Sequence, residues 1–503
     1  MATITETIQT EISHLISGNE LYDTYQPRWR YLLESYLGGE TYRDAKHLTR
    51  YALETDGEYT ARLNNTPLRN DCYSVVSIYK SFLFREAPYR EFASIEGLPE
   101  LEDFLKDADM DGRSLNSFMK DATTWASVFG HSWILVTQPN VGATTREEQR
   151  MQGVRPYVNL LTPLTVLDWQ YTRSPNGRYE LSYFKYLEDV NQSIRVVKEW
   201  RKDTIKTSVV DVDNNEIQEE YEEVNELGVI PAVCMYNIRS TVRGIGVSDL
   251  ADIADLQRFI YNATSEVDQS IRLNTHPSIV ATPETNIGSG AGALIHMPEN
   301  LDPGLKPYAL EFNGASVDSI YKAIEQTVDA IDKIANTGSI RSTESRRMSG
   351  VAQEQEFQLL NARLSEKADS VELAEEHIWK LWCMYMGYNW EGTVDYPGSF
   401  NIRDTESEIQ QLKVARDSAN DPRVLKQIDK QILEWMEVDE GVVNDFEQPH
   451  PVTTPATRQA HIQEMIMEGY TDAQMLERHP EITQQDIDSA KQALLNIEGA
   501  NNE

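Results

Sequence analysis

Few residues in this chain have the types and spacing to do chemistry. A glycine-rich run, GlySerGlyAlaGly at 288–292, resembles a phosphate-cradling loop, but no Gly-Lys-Ser/Thr follows and no helix opens there, so it reads as a flexible loop. The acidic run from Asp211 to Glu226 offers oxygen ligands for Ca²⁺. Its DVDNNEIQEEYEE lacks the spacing and final position of an EF-hand loop, and it reads as a solvated hairpin or loop. The nine histidines are scattered, and His131 and His377 stand among apolar residues, the setting of packing histidines. Arg341, Arg346 and Arg347 crowd a polar, weakly periodic segment from Ser339 to Gly350. There is no Walker A loop, HExxH, GxSxG or dinucleotide fingerprint. Carboxylates are so abundant that a catalytic pair drawn by hand carries no information. The expectation is a protein that is not an enzyme, with no catalytic, cofactor or metal site.

The elements that position these residues are clearer. Leu250, Ile253, Leu256, Ile260, Ala263, Val267 and Ile271 recur at spacings of three and four, which predicts a helix over 248–272 with one apolar face. Val317, Ile320, Ile324, Val328, Ile331 and Ala335 predict a second over 316–336. Each would be roughly 33 to 36 Å long, and its stripe needs a partner, either the other helix or the same helices in neighbouring copies. Between them lies a Pro/Gly-rich module, 276–314, whose short apolar runs at 278–280 and 294–296 suggest brief strands. A third helix, Val351 to Tyr388, buries Phe357, Leu360, Leu364, Ala368, Val371, Ile378, Leu381 and Tyr385.

Upstream, helices are expected around Trp29 to Tyr36, over Asn70 to Phe84 and over Ser114 to Phe129, the last capped by Gly130. From His131 the period falls towards two. Segments 133–137, 157–161, 165–171, 179–187, 193–200 and 229–236 read as a meander-like antiparallel sheet, with Asn176-Gly177 as a hairpin turn. The last hundred residues read as helical. Thr405 with Glu408 and Thr471 with Gln474 form capping boxes, 452–455 is a linker, and 469–486 is two short helices joined by a turn, too acidic for a groove reader.

With 503 residues and 40% hydrophobic content the chain can bury a large core, with about three domain-sized units expected from length. No apolar run spans a bilayer, and the first residues lack a basic and then apolar leader, so neither secretion nor membrane anchoring is expected. Cys72, Cys234 and Cys383 lie far apart in sequence, so no disulfide framework is expected and a reducing compartment at synthesis is the plain reading. The formal charge is −35. Duplex-gripping proteins carry basic stripes because neutralising phosphates supplies most of the affinity. This chain either avoids nucleic acid or stays near it without holding it.

The order of these segments resembles the portal proteins of tailed bacteriophages. Local words support the likeness: TyrLeuGlyGlyGluThrTyrArg at 36–43, SerPheLeuPheArgGluAlaPro at 81–88, PheGlyHisSerTrpIleLeuValThrGlnPro at 129–139, GlyValIleProAlaVal at 228–233 and GlyValSerAspLeu at 246–250. The resemblance implies an α+β portal fold: wing 1–247, stem helix 248–273, clip 274–314, second stem helix 315–337, tunnel loop 338–350, wing helix and strand 351–402, and a helical crown 403–503. It implies a ring of typically twelve subunits at one capsid vertex of a virion, made in the host cytoplasm. DNA would be packaged and ejected through it, with the terminase large subunit, major capsid protein and a head-to-tail adaptor as partners. An acidic channel would let DNA slide. Arg341, Arg346 and Arg347 would then make transient phosphate contacts from the tunnel loop, and Lys322 and Lys333 would line the stem. Against this, the arginines pair with Glu344 and nearby acids in a solvated loop, and the lysines are simply exposed.

Two other classes remain open. An acidic helical scaffold or adaptor without DNA passage accounts for the composition but not for the segment order. A nuclease using scattered acids and Mg²⁺ would need carboxylates that converge in space.

Overall fold

The computed structural model describes residues 12–139, 148, 151–189, 193–275, 279–280, 282, 286–287, 295–296, 302, 304, 308–309, 315–341, 350–398, 400, 413, 416, 428, 462–463, 465–467, 470–478 and 482–491. The fold is α+β, and the chain divides into two compact units, 1–401 and 402–503.

The first unit opens with α1 (Glu20–Leu37), α2 (Gly39–Asp44), α3 (Asp56–Asn65) and α4 (Asp71–Leu83), followed by β1 (Tyr89–Glu91), α5 (Pro99–Lys106) and α6 (Leu115–Phe129). Their starts are set by side chains that satisfy free amides. Asn70 accepts from the Tyr73 amide at 2.9 Å, and Thr55 and Glu58 form a capping box at α3. Helix α6 ends at Gly130, whose φ of 95° is left-handed, as expected of the cap.

Where one meander-like sheet is expected, there are two sheets. β2 (His131–Thr137) is central in a three-stranded sheet between β3 (Tyr157–Leu161) and β9 (Ala232–Tyr236). β4 (Val166–Arg173), β5 (Tyr179–Asp189), β6 (Ile194–Arg201), β7 (Thr204–Asp211) and β8 (Glu216–Val224) form a five-stranded meander in chain order. The Asn176-Gly177 turn joins β4 to β5, with Gly177 at φ 86°. Of the hairpin or loop expected of the acidic run, the hairpin forms: β8 pairs along β7 from Asp211 with Glu216 to Thr204 with Val224. It has no apolar face to betray it, because it is an edge strand that buries almost nothing and is held by the ladder. Asp211 spends its carboxylate on the turn, accepting from the Asn214 backbone and side-chain nitrogens at 3.0 Å each.

Next come α7 (Ile253–Thr275), four two-residue strands, α8 (Ala315–Ala335), the short α9 (Gly338–Arg341), α10 (Gly350–Met386) and β14 (Thr393–Asp395). The short strands are β10 (Ile279–Val280), paired with β13 (Tyr308–Ala309), and β11 (Asn286–Ile287), paired with β12 (Ile295–His296). The GlySerGlyAlaGly run lies outside the described residues. Helix α7 starts five residues later than expected, because 248–252 forms a turn. One continuous core runs from α1 and α4 through α6 and β2 to the root of α7 and along α10. No helix among the described residues is long and apolar enough to cross a membrane.

In the second unit, α11 (Asp472–Arg478) begins at the expected capping box: Thr471 Oγ1 accepts from the Gln474 amide and Gln474 Oε1 from the Thr471 amide. A further helical run covers 484–491, and Met475, Ile482 and Ile487 bury against one another. This is a packing element. The Thr405–Glu408 box and the 452–455 linker lie outside the described residues.

Candidate functional site

The candidate site is the pair α7/α8 and its root. The two helices are antiparallel: their inner ends meet at Arg363 of α10, and the ladder between β10 and β13 joins the segments that follow α7 and precede α8.

Two sequence words launch α7. Phe129–His131 and Gly246–Asp249 pass so close that a Cβ on Gly246 would lie 1.9 Å from the Gly130 carbonyl oxygen, and one on Gly130 would lie 2.4 Å from that of Gly246. Only glycine fits at either position, and Gly130 also needs its positive φ. Around this crossing Ser248 Oγ donates to the Val128 carbonyl at 2.6 Å and the Asp249 amide to the Ser127 carbonyl at 3.0 Å. The Gly246 amide donates to His131 Nδ1 at 3.4 Å. His131 is wholly buried, and burial pushes its pKa down to about 3, so the ring is neutral. It is the packing histidine expected. His377 sits on the exposed side of α10.

Asp249 then carries a buried charge into the root. Its carboxylate accepts from Lys367 Nζ at 2.6 Å and Arg363 Nη2 at 3.0 Å, and its side chain has no exposure. Burial alone would raise its pKa; the Lys367 and Arg363 charges outweigh that and hold it below the usual carboxylate value. Lys367 Nζ also reaches Ser127 Oγ and Asn237 Oδ1, and the Tyr79 ring faces both cations, with centroid distances of 5.1 Å to Lys367 Nζ and 5.3 Å to Arg363 Cζ. Arg363 Nη1 donates to the Ile334 carbonyl at 2.9 Å, and the Tyr79 hydroxyl to that of Ala335 at 2.5 Å, satisfying the end of α8. On the other side, buried Gln257 of α7 accepts from the Cys72 amide at 2.9 Å and donates to the Ser35 carbonyl at 3.0 Å, tying α7 to α4 and α1.

Arg341 is not a loop side chain. It ends α9, is almost buried, pairs with Asp71 and lies 3.1 Å from Asp332 Oδ1. Its charge is used inside the fold, joining α4 to the end of α8. Burial raises the Asp332 pKa despite Arg341. Arg346 and Arg347, with the rest of 342–349, lie outside the described residues. Lys322 and Lys333 are exposed on α8, three turns apart and so on nearly one face. The structure therefore buries Arg341 in an ion pair while leaving Lys322 and Lys333 exposed. Sequence reading missed Asp249, Arg363 and Lys367, because charged residues on a helix or in a turn look solvated until their neighbours are known.

Coverage of the apolar stripes changes along the pair. At the root, Ile253, Ile260, Ile331 and Ala335 are buried. Further out on α8, Ile320, Ile324 and Val328 are only half-buried, whereas the α7 stripe stays buried through Ala263 and Val267 and opens at Ile271, 48% exposed; Phe259, beside the stripe, is equally exposed. A cavity of about 390 Å³ lies along this outer half, lined by Phe259, Ala263, Ile320 and Ala323 among others.

No family model matches the chain, and no curated protein matches it. Solved structures do. A chain in the neck of an empty gene transfer agent particle, computed with C6 symmetry, is 11% identical, with 77% of this chain and 97% of that chain covered and a TM-score of 0.40. A chain of the native gene transfer agent virion is 11% identical over 78% of this chain and 98% of that one, also at 0.40. One in the native neck, computed with C12 symmetry, is 12% identical over 76% and 95%, at 0.38. Superpositions this loose transfer no residue's role.

Proposed function

We propose that this chain is a portal protein, a non-enzymatic subunit of a ring at one vertex of a phage-like capsid, through which double-stranded DNA is packaged and ejected. One observation carries the reading: α7 and α8 are welded to the folded unit at one end by buried charges, while towards the other end the apolar stripe of α8, and that of α7 at Ile271, lose cover. Such a pair is a rigid rod whose outer face is completed by further helices, and copies of the same rod packed side by side in a ring supply them. The −35 charge suits a channel that repels DNA rather than gripping it. In this assembly the segment 274–314 at the tip of the rods is the docking face for terminase and adaptor, and the body around α10 meets the major capsid protein. Arg346 and Arg347 touch DNA phosphates in passing, and Lys322 and Lys333 line the stem. Twelve copies is the expected number.

Negative-stain electron microscopy of the purified chain, with light scattering for mass, tests this directly. Rings with a central hole are expected. A stable monomer or compact small oligomer moves the chain to the class of acidic scaffolds.

A further inference from the structure

A second cavity, of about 480 Å³, opens between the β4–β5 hairpin, β9 and α10, away from the helical rod. Its wall mixes aromatic and aliphatic side chains, Tyr171, Tyr236 and Leu381, with the polar His377 and the Lys202–Glu180 ion pair, and exposed Leu373 and Met384 stand at its edge. Two exposed arginines on one turn guard it. Arg243 Cζ lies 3.7 Å from the Tyr179 ring centroid and Arg239 Cζ 5.3 Å from that of Tyr236. Neither has a carboxylate partner among the described residues. This is an unusual surface for a chain of charge −35: a partly apolar pocket with two arginines at its mouth that no carboxylate among the described residues pairs.

The complementary surface is on the same chain. Strand alternation puts Glu219, Tyr221 and Glu223 on one face of the β8 edge strand, opposite Val209, Thr207 and Ile205 of β7. Tyr221 is 48% exposed, and Glu219 and Glu223 carry no ion pair among the described residues. The set, an aromatic side chain between two carboxylates over about 13 Å, answers a pocket with two arginines at its rim. Glutamates along the strand discourage simple edge-to-edge pairing, which leaves the side chains to make the contact.

We propose that Tyr221 of one copy seats in this cavity of the next, with Glu219 and Glu223 meeting Arg239 and Arg243; the inference rests on the ring reading above. Because the two halves are different surfaces of one chain, the contact is head-to-tail, and repeating it closes a ring when the rotation allows. The buried tyrosine supplies the anchor, and the rim charges set register and approach.

The test is a photo-crosslinking benzoylphenylalanine at position 221 of the full chain, read by mass spectrometry. Intermolecular crosslinks to peptides within 229–243 or 370–384 are expected; crosslinks confined elsewhere, or none, overturn the contact. Ring particles with crosslinks elsewhere overturn this contact alone. Crosslinks at the expected peptides in open chains uphold it and overturn the ring. In a second measurement, Glu219→Arg with Glu223→Arg, and separately Arg239→Glu with Arg243→Glu, should each lose higher assembly at unchanged melting temperature. Mixed together, the two variants should assemble again as alternating copies, because the glutamate strand of one meets the arginine rim of the other and the charge-reversed strand meets the charge-reversed rim. One chain carrying all four substitutions should regain wild-type assembly. Wild-type assembly by either variant alone overturns the proposal.

Discussion

Lys367 Nζ lies 2.6 Å from Asp249 Oδ2, both groups buried, where the turn before α7 meets α10. The pair, with Arg363, fixes the root of the rod, and its removal should be felt there first. Asp249→Ala leaves two cations without their anion, and a loss of about 3–5 kcal/mol in unfolding free energy is expected, measured by urea denaturation of the full chain. The pH dependence has a definite sign. The folded carboxyl titrates below its unfolded value of about 3.9, so its contribution is complete above that pH and fades as pH falls through the folded value. The stability gap between wild type and Asp249→Asn should therefore shrink only in strong acid.

His131 gives a second pH signature. Its folded pKa is about 3, against about 6.5 for a free imidazole, so between those values the unfolded chain binds a proton that the fold refuses. Stability should fall with decreasing pH across this window by up to about 1.4 kcal/mol per pH unit. His131→Gln should flatten that part of the curve, compared by denaturant midpoints from pH 7 to pH 4.

Arg341 and the pair Arg346/Arg347 should behave as opposites. Arg341→Ala leaves Asp332 without its cation and Asp71 with only the half-exposed Arg69, and a destabilisation of about 3–5 kcal/mol is expected by denaturation. Arg346→Glu with Arg347→Glu should leave melting and ring assembly unchanged while lowering the yield of DNA-filled heads. Normal filled heads from that double variant would remove the DNA role.

The graded cover of α8 predicts graded mutational costs. Ile331→Ala, at the buried root, should lose about 2–5 kcal/mol, and Ile324→Ala, half-buried further out, less than half of that. Ile324→Asp should instead spare the monomer's circular dichroism melt and abolish assembly seen by light scattering. A loss of fold from Ile324→Asp as large as that from Ile331→Asp would show that the outer stripe is already satisfied within one chain.

Period and punctuation determined much of this protein from sequence alone. The three- and four-residue spacing of isoleucines and valines set α7, α8 and α10 to within a few residues, Gly130 and Asn176-Gly177 marked a helix end and a hairpin, and β-branched runs placed six strands. These are local signals, written in backbone preference and one-sided burial. What only the tertiary structure decided is where the charges go. Arg341 looked like a member of a polar loop and is an interior ion pair; Asp249, Arg363 and Lys367 carried no local signal and form the root of the rod; the glutamates of β8 left hairpin and loop open and form the edge of a hairpin. A charged side chain takes its role from partners far away in sequence, 118 residues in the case of Lys367 and Asp249, and no local pattern records them.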